Sequence, residues 1–227
     1  APYEVARARA VLSAALRADG NDDDADLELQ AALDAFRRLG ARIDVEAAER
    51  GLLDAEERRT GPVTTRKTFM FTDIVGSTTL AETLGDQAWE RVLRWHDDTL
   101  RGLVMRGGGV IVNSTGDGFF AAFDAARQAV GCAISIQRAL AEQGLSTGFA
   151  PSVRIGLHSA DANRRGTDYS GVGVHVTARV AALAVGGEIL ATAETLVEAG
   201  DVPASAVRQT PVRGVAAPVS VASIAWT

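Results

Sequence analysis

Cysteine is all but missing from this 227-residue chain: Cys132 stands alone, so no disulfide can form within it. It sits in an apolar helical pattern and reads as a buried thiol, which fits a reducing compartment and makes the cytoplasm the expected location. Long hydrophobic runs are missing too. No stretch approaches about 18 apolar residues, and the start lacks a basic segment followed by an apolar one, so neither a membrane span nor a signal peptide is visible. An excess of basic charge is also lacking. With 23 Lys and Arg against 29 Asp and Glu the formal charge is −6, which argues against broad binding to nucleic acid or to anionic membranes. A starting methionine is absent as well, and a chain opening Ala1-Pro2-Tyr3 reads as a piece of something longer. What remains is 47% hydrophobic and 23% charged residues, the make-up of a soluble globule with one good-sized domain and a small appendage, or two small domains.

The first part, residues 1–59, is helical by composition and spacing. One helix is expected over residues 3–19, with Val5, Ala8, Val11 or Leu12, Ala15 and Leu16 on its apolar stripe, stopped by Gly20-Asn21-Asp22. A second, over 24–39, carries Leu27, Leu29, Ala32, Leu33 and Phe36 and closes at Gly40. A third, highly charged helical stretch covers 44–59. The first two make an αα-hairpin, and Phe36-Arg37-Arg38-Leu39-Gly40 after an Ala-rich crossing resembles a tetratricopeptide repeat, a module that binds proteins. A protein partner through this segment is therefore expected. Asp22-Asp23-Asp24 with Asp26 lacks the glycine and the distant glutamate of a calcium loop and reads as a solvated helix start. Residues 60–66, with Gly61-Pro62 and three threonines, read as a linker, and the second domain as 67–227.

That domain opens on Lys67-Thr68-Phe69-Met70-Phe71-Thr72-Asp73-Ile74-Val75-Gly76-Ser77-Thr78-Thr79. A β-type run ends in a carboxylate, turns through glycine and starts a helix, which puts an oxygen ligand beside free backbone N–H groups. Alone, Asp73 reads first as a helix cap. Downstream, two β-prone runs flank Gly116-Asp117-Gly118, a hairpin signal that delivers a second aspartate. Two carboxylates on neighbouring strands are how proteins hold Mg²⁺ against phosphates. Between them lies one long helix or two over residues 80–105, breakable at Leu84-Gly85-Asp86, on which His96 beside Asp97 and Asp98 reads as a surface or capping residue. An amphipathic helix over 125–143, a strand over 153–158, a polar loop at Arg164-Arg165-Gly166 and a helix over 172–185 follow. That helix sets His175 and Arg179 four apart on one face. A short strand, a short helix and a tail of strands, turning at Arg213-Gly214, complete an α+β pattern.

Phe71-Thr72-Asp73-Ile74-Val75-Gly76-Ser77-Thr78, Thr115-Gly116-Asp117-Gly118-Phe119, Arg154-Ile155-Gly156-Leu157-His158 and His175-Val176-Thr177-Ala178-Arg179-Val180 together resemble the class III nucleotidyl cyclase catalytic domain. The resemblance implies a ferredoxin-like α+β core with an antiparallel or mixed sheet, behind an N-terminal α-helical hairpin. It implies a head-to-tail homodimer with sites at the interface, and conversion of a nucleoside triphosphate to its 3′,5′-cyclic monophosphate and pyrophosphate. Asp73 and Asp117 match the metal-binding aspartates, implying two Mg²⁺ or Mn²⁺ ions per site. Ile74, Val75, Gly76, Ser77 and Thr78 match the phosphate-holding backbone, and Arg213 lies near the place of a basic residue that meets the terminal phosphate. Arg179 matches the transition-state arginine, and His175 stands where many members use asparagine to orient the ribose.

In the family's adenylyl cyclases a lysine and an aspartate read adenine; Asp168 matches the aspartate, but Asn113 stands at the lysine position. Asp168 can accept from adenine N6 and the Asn113 amide can donate to N1, whereas guanine would set O6 against the carboxylate. ATP is therefore favoured over GTP, with modest activity. The rival reading, which Asn113 favours, is a degenerate domain that binds nucleotide or a partner chain as a regulatory module.

Overall fold

A computed structural model describes residues 2–60, 63–114, 116–212, 215 and 217–227. The chain divides into two compact units, Ala1–Val63 with Arg164–Gly166, and Thr64–Asn163 with Thr167–Thr227.

The helical unit holds α1 (Pro2–Ala18), α2 (Asp22–Leu39) and α3 (Arg42–Thr60). Gly40 ends α2 in the left-handed conformation at φ 69°, and the Ala41 N–H reaches back to the Phe36 carbonyl. Leu29, Leu33 and Phe36 of α2 pack on Ala6 of α1 and Ala48 of α3, so three helices share this small core rather than the two of a hairpin. The expected stripe of α1 is displaced. Val5, Val11 and Leu12 are exposed, while Ala6 and Ser13 are buried, because the bulky side of α2 accepts only small residues opposite it.

The second unit starts on β1 (Val63–Ile74), earlier than expected; Gly61 and Pro62 of the anticipated linker lie outside the described residues. Then come α4 (Ser77–Leu84), α5 (Asp86–Arg106), β2 (Val110–Ser114), β3 (Phe119–Phe123), α6 (Ala126–Thr147) and β4 (Val153–Arg165). They are followed by β5 (Asp168–Ser170), α7 (Val172–Leu183), β6 (Ile189–Thr192), α8 (Ala193–Ala199), β7 (Arg208–Thr210) and β8 (Val219–Ser223). Gly85, at φ 75°, separates α4 from α5. The sheet order is β2-β3-β1-β4-β6-β8-β7, with β5 paired to β4. Its first four strands, connected β-α-β-β-α-β and ordered 2-3-1-4, make the ferredoxin-like core. The sheet is mixed: β1 and β3 pair antiparallel, β4 and β6 parallel.

Strand alternation gives the two faces different work. Met70 and Ile74 of β1 join Phe119, Phe123, Ile155, Leu157 and the inner sides of α5 and α6 in the main core. Phe69, Phe71 and Asp73 point the other way. There Phe71 stacks on Phe120 at 4.5 Å, and Tyr169 meets Phe69 edge-on. On the same side Val176 and Val180 of α7 cover Leu190 and Val221. The polar loop expected at Arg164-Arg165-Gly166 is strand as far as Arg165, and β5 folds back about Gly166 at φ 60°. Asp161, Asn163, Arg164 and Asp168 are exposed, so this ribbon shows no apolar alternation by which to recognise it.

Candidate active site

Two hydrogen bonds tie the end of β1 to the hairpin. The buried Thr72 hydroxyl accepts the Phe119 N–H at 2.9 Å, and the Ile74 N–H donates to the Asp117 carbonyl at 3.1 Å. Asp73 and Asp117 are thereby set at neighbouring strand ends. Their carboxylates have different partners. Ser77 Oγ donates to Asp117 Oδ2 at 2.7 Å, whereas Arg154 of β4 sets Nε at 2.8 Å and Nη2 at 2.5 Å from Asp73 Oδ2. Each side chain of the Asp73–Arg154 pair is about a third exposed, at 33% and 31%. Among the described residues no cluster of three or more His, Cys, Asp or Glu side chains could hold a metal. Two half-open carboxylates nevertheless fit Mg²⁺ or Mn²⁺, which bind through one or two protein carboxylates and fill their shells with water and phosphate oxygens.

Gly76 takes the turn out of β1 at φ 70°, a conformation that favours glycine, and opens α4. Of the five backbone groups expected to hold phosphates, two are already engaged. The Ile74 N–H is bonded to Asp117 and the Val75 N–H to the Ser152 carbonyl at 2.8 Å. The strand geometry that positions Asp73 consumes these donors. Gly76, Ser77 and Thr78 keep N–H groups without an acceptor among the described residues, since Leu80 makes the first backbone bond of α4, back to Gly76.

Helix α7 is seated on β4 by two glycines. A Cβ on Gly156 would come 2.2 Å from the Ala181 nitrogen, and one on Gly173 would come 2.3 Å from Ala160 Cβ, so the helix runs back along the strand in direct contact. Arg154 Nη1 also donates to the Ala182 carbonyl at 3.3 Å, linking the end of α7 to Asp73. On α7, His175 is exposed and Arg179 half-buried, and the Arg179 guanidinium has no hydrogen bond or ion pair among the described residues. Arg213 lies outside the described residues.

The proposed base readers lie on β2 and β5, strands that approach each other. Both side chains are exposed and, among the described residues, bonded only to the next residue: Asn113 Oδ1 accepts the Ser114 N–H, and Asp168 Oδ1 accepts the Tyr169 N–H, each at 2.8 Å. An irregularity in the β2–β3 register falls between Ile111 and Asn113.

Two residues were misjudged or missed by sequence reasoning. His96, expected at the surface, is fully buried with its ring stacked on Phe119 at 6.0 Å. Its Nδ1 lies 3.2 Å from Asp97 Oδ1, and Nε2 has no partner among the described residues. Burial lowers its pKa, partly opposed by Asp97 and Asp117. Arg154 was noticed only as part of a motif. The signal was there: Ile155 and Leu157 face the core, so alternation turns Arg154 toward the face that carries Asp73. His158, from the same strand, instead bonds Thr192 Oγ1 at 2.9 Å, with a pKa that burial lowers.

Residues 62–217 match the family described as the adenylate and guanylate cyclase catalytic domain. An adenylate cyclase of Mycosarcoma maydis is 28% identical over 190 residues, which cover 73% of this chain and 8% of that protein. An uncharacterized Mycobacterium tuberculosis protein is 36% identical over 102 residues, covering 44% of this chain and 33% of that one. The chain thus spans a minor part of these relatives. Among solved structures, the guanylyl cyclase Cya2 superposes with a TM-score of 0.64 at 26% identity, over 72% of this chain and 93% of that one. The adenylyl cyclase CyaB of P. aeruginosa gives 0.62 at 24% identity, over 72% and 96%, a likeness of fold.

Proposed function

The chain belongs to the adenylate and guanylate cyclase catalytic-domain family, and from that premise we propose that it converts ATP, in preference to GTP, to the 3′,5′-cyclic monophosphate and pyrophosphate at a site shared between two copies. The observation that carries this reading is the pair of strand-end aspartates, Asp73 and Asp117, tied together by the Ile74–Asp117 and Thr72–Phe119 bonds. Asp73 and Asp117 would hold Mg²⁺ or Mn²⁺, two ions per site. Bound there, such ions lower the pKa of the ribose 3′-hydroxyl and offset the charge of the triphosphate.

This chain's own groups do the rest. The N–H groups of Gly76, Ser77 and Thr78 hold phosphate oxygens at a helix start, and Arg213 meets the terminal phosphate. The ribose 3′-hydroxyl gives its proton to solvent and its oxygen bonds to the α-phosphorus, while the bond from that phosphorus to the bridging oxygen breaks and pyrophosphate leaves with the bonding pair. Arg179, with planar donors and no partner among the described residues, stabilises the charge on the five-coordinate phosphorus. His175, one turn away, orients the ribose. Because Asn113 Oδ1 is occupied by Ser114, its amide hydrogens remain to donate to adenine N1, while Asp168 accepts from N6. A neutral amide in place of a charged donor costs roughly 1 kcal/mol or more, so turnover is modest.

A second reading, a nucleotide-binding or partner-binding regulatory domain without turnover, is favoured by Asn113 alone. Cyclic nucleotide formation from ATP and from GTP in Mn²⁺ decides between them. Product above the level of an Asp73→Ala control supports the enzyme; none from either substrate supports the regulatory module.

A further inference from the structure

The two aspartates are held in unlike ways. Asp117 is met by a neutral hydroxyl, Ser77 Oγ, while Asp73 is met by a full positive charge. Arg154 places two nitrogens on the same oxygen, Oδ2, and a third on the Ala182 carbonyl, so the guanidinium is fixed at three points directly over the carboxylate. A divalent ion bound to Asp73 would lie at about 2.1 Å from a carboxylate oxygen. It would sit beside the guanidinium, and two like charges so close repel strongly wherever solvent is partly excluded. The ion pair is itself a third exposed, however, and half-exposed pairs are easily parted. A triphosphate offers the same guanidinium a bidentate anion of higher charge.

We propose that Arg154 and a divalent cation compete for Asp73, so that the cation binds weakly until a polyphosphate draws the guanidinium away. This rests on the reading of Asp73 as a cation ligand. It makes Arg154 the residue that couples metal uptake to substrate arrival, and it keeps the site from filling with metal when no nucleotide is present.

The test is Mn²⁺ binding to the whole chain without nucleotide, followed by loss of the free Mn²⁺ electron paramagnetic resonance signal. Arg154→Met and Arg154→Gln, each checked by thermal melting, are expected to bind Mn²⁺ on the order of tenfold more tightly than the unmodified chain. Adding Asp73→Asn to either should remove the gain. Affinity that is unchanged or weaker in both folded Arg154 variants, yet lost in Asp73→Asn, overturns the competition while leaving Asp73 a ligand. If adding Asp73→Asn leaves the tighter binding of the Arg154 variants intact, or if none of the chains takes up Mn²⁺ at millimolar concentration, Asp73 is no ligand and the proposal falls with it.

Discussion

The triphosphate end and the base end of the candidate site are built by different kinds of contact. At the first, Asp73 and Asp117 are gripped by residues 81 and 40 positions away, Arg154 and Ser77, and their backbones are stapled across two strands. At the second, Asn113 and Asp168 bond, among the described residues, only their immediate neighbours, Ser114 and Tyr169, and stand exposed. Long-range contacts are made by the fold and hold a geometry before any ligand arrives. Bonds to the next residue orient a side chain without committing it to anything. The aspartates of the first end are therefore positioned by contacts within one chain, whereas the second end has no comparable long-range support among the described residues.

Breaking the preformed end should do the most damage. Asp73→Ala is expected to lower cyclic nucleotide formation on the order of 10³-fold, the scale of losing a charged ligand at a phosphoryl-transfer site, while thermal melting changes little. Gly156→Ala comes next. Its methyl would meet the Ala181 backbone, so α7 must lift from β4. Overpacking of this kind costs about 1–3 kcal/mol, and displacement of Arg179 should lower turnover about 10²-fold. A melting scan and an activity assay read the two effects separately, and unchanged turnover would mean that the seating of α7 is irrelevant to the chemistry.

Sharpening the loose end should have a smaller and opposite effect. Asn113→Lys is expected to raise the rate with ATP about tenfold by restoring a charge-assisted donor to N1, with little change for GTP. Equal or slower turnover of ATP would show that Asn113 does not meet the base.

The smallest effect concerns the support beneath the hairpin. Burial holds the His96 pKa below its ordinary value, so below about pH 6.5 the unfolded chain takes up a proton that the folded chain resists. Stability from this source is complete above that range and is lost as the pH falls through it; His158 adds in the same sense. In His96→Leu the drop in melting temperature between pH 7 and pH 5 should shrink. An undiminished drop would assign it to other groups.

Much of the fold could be read in the sequence because glycine and alternation marked it. Gly85 separates α4 from α5, and the Gly-Asp-Gly turn joins β2 to β3, so the nearness of the two aspartates was legible. What stayed hidden needed knowledge of which strands are neighbours. Arg154 meets Asp73 only because β4 lies beside β1, and the Ile74 and Val75 donors are spent on partners that local sequence does not name. His96 was a matter of weighing. It lies on the Leu93–Leu100 stripe, but Asp97 and Asp98 beside it signalled solvent, and the packing of Phe119 prevailed. The buried side of α1 was illegible for another reason, since an Ala-rich helix offers little contrast between faces.

The proposal of a site shared between two copies is tested most directly by mixing two inactive chains. Asp73→Ala and Arg179→Ala should each be nearly inactive alone. If the two residues come from opposite copies, a one-to-one mixture re-forms one intact site in every mixed dimer and recovers about a quarter of the unmodified activity. A mixture as inactive as its components would contradict a site built from two copies.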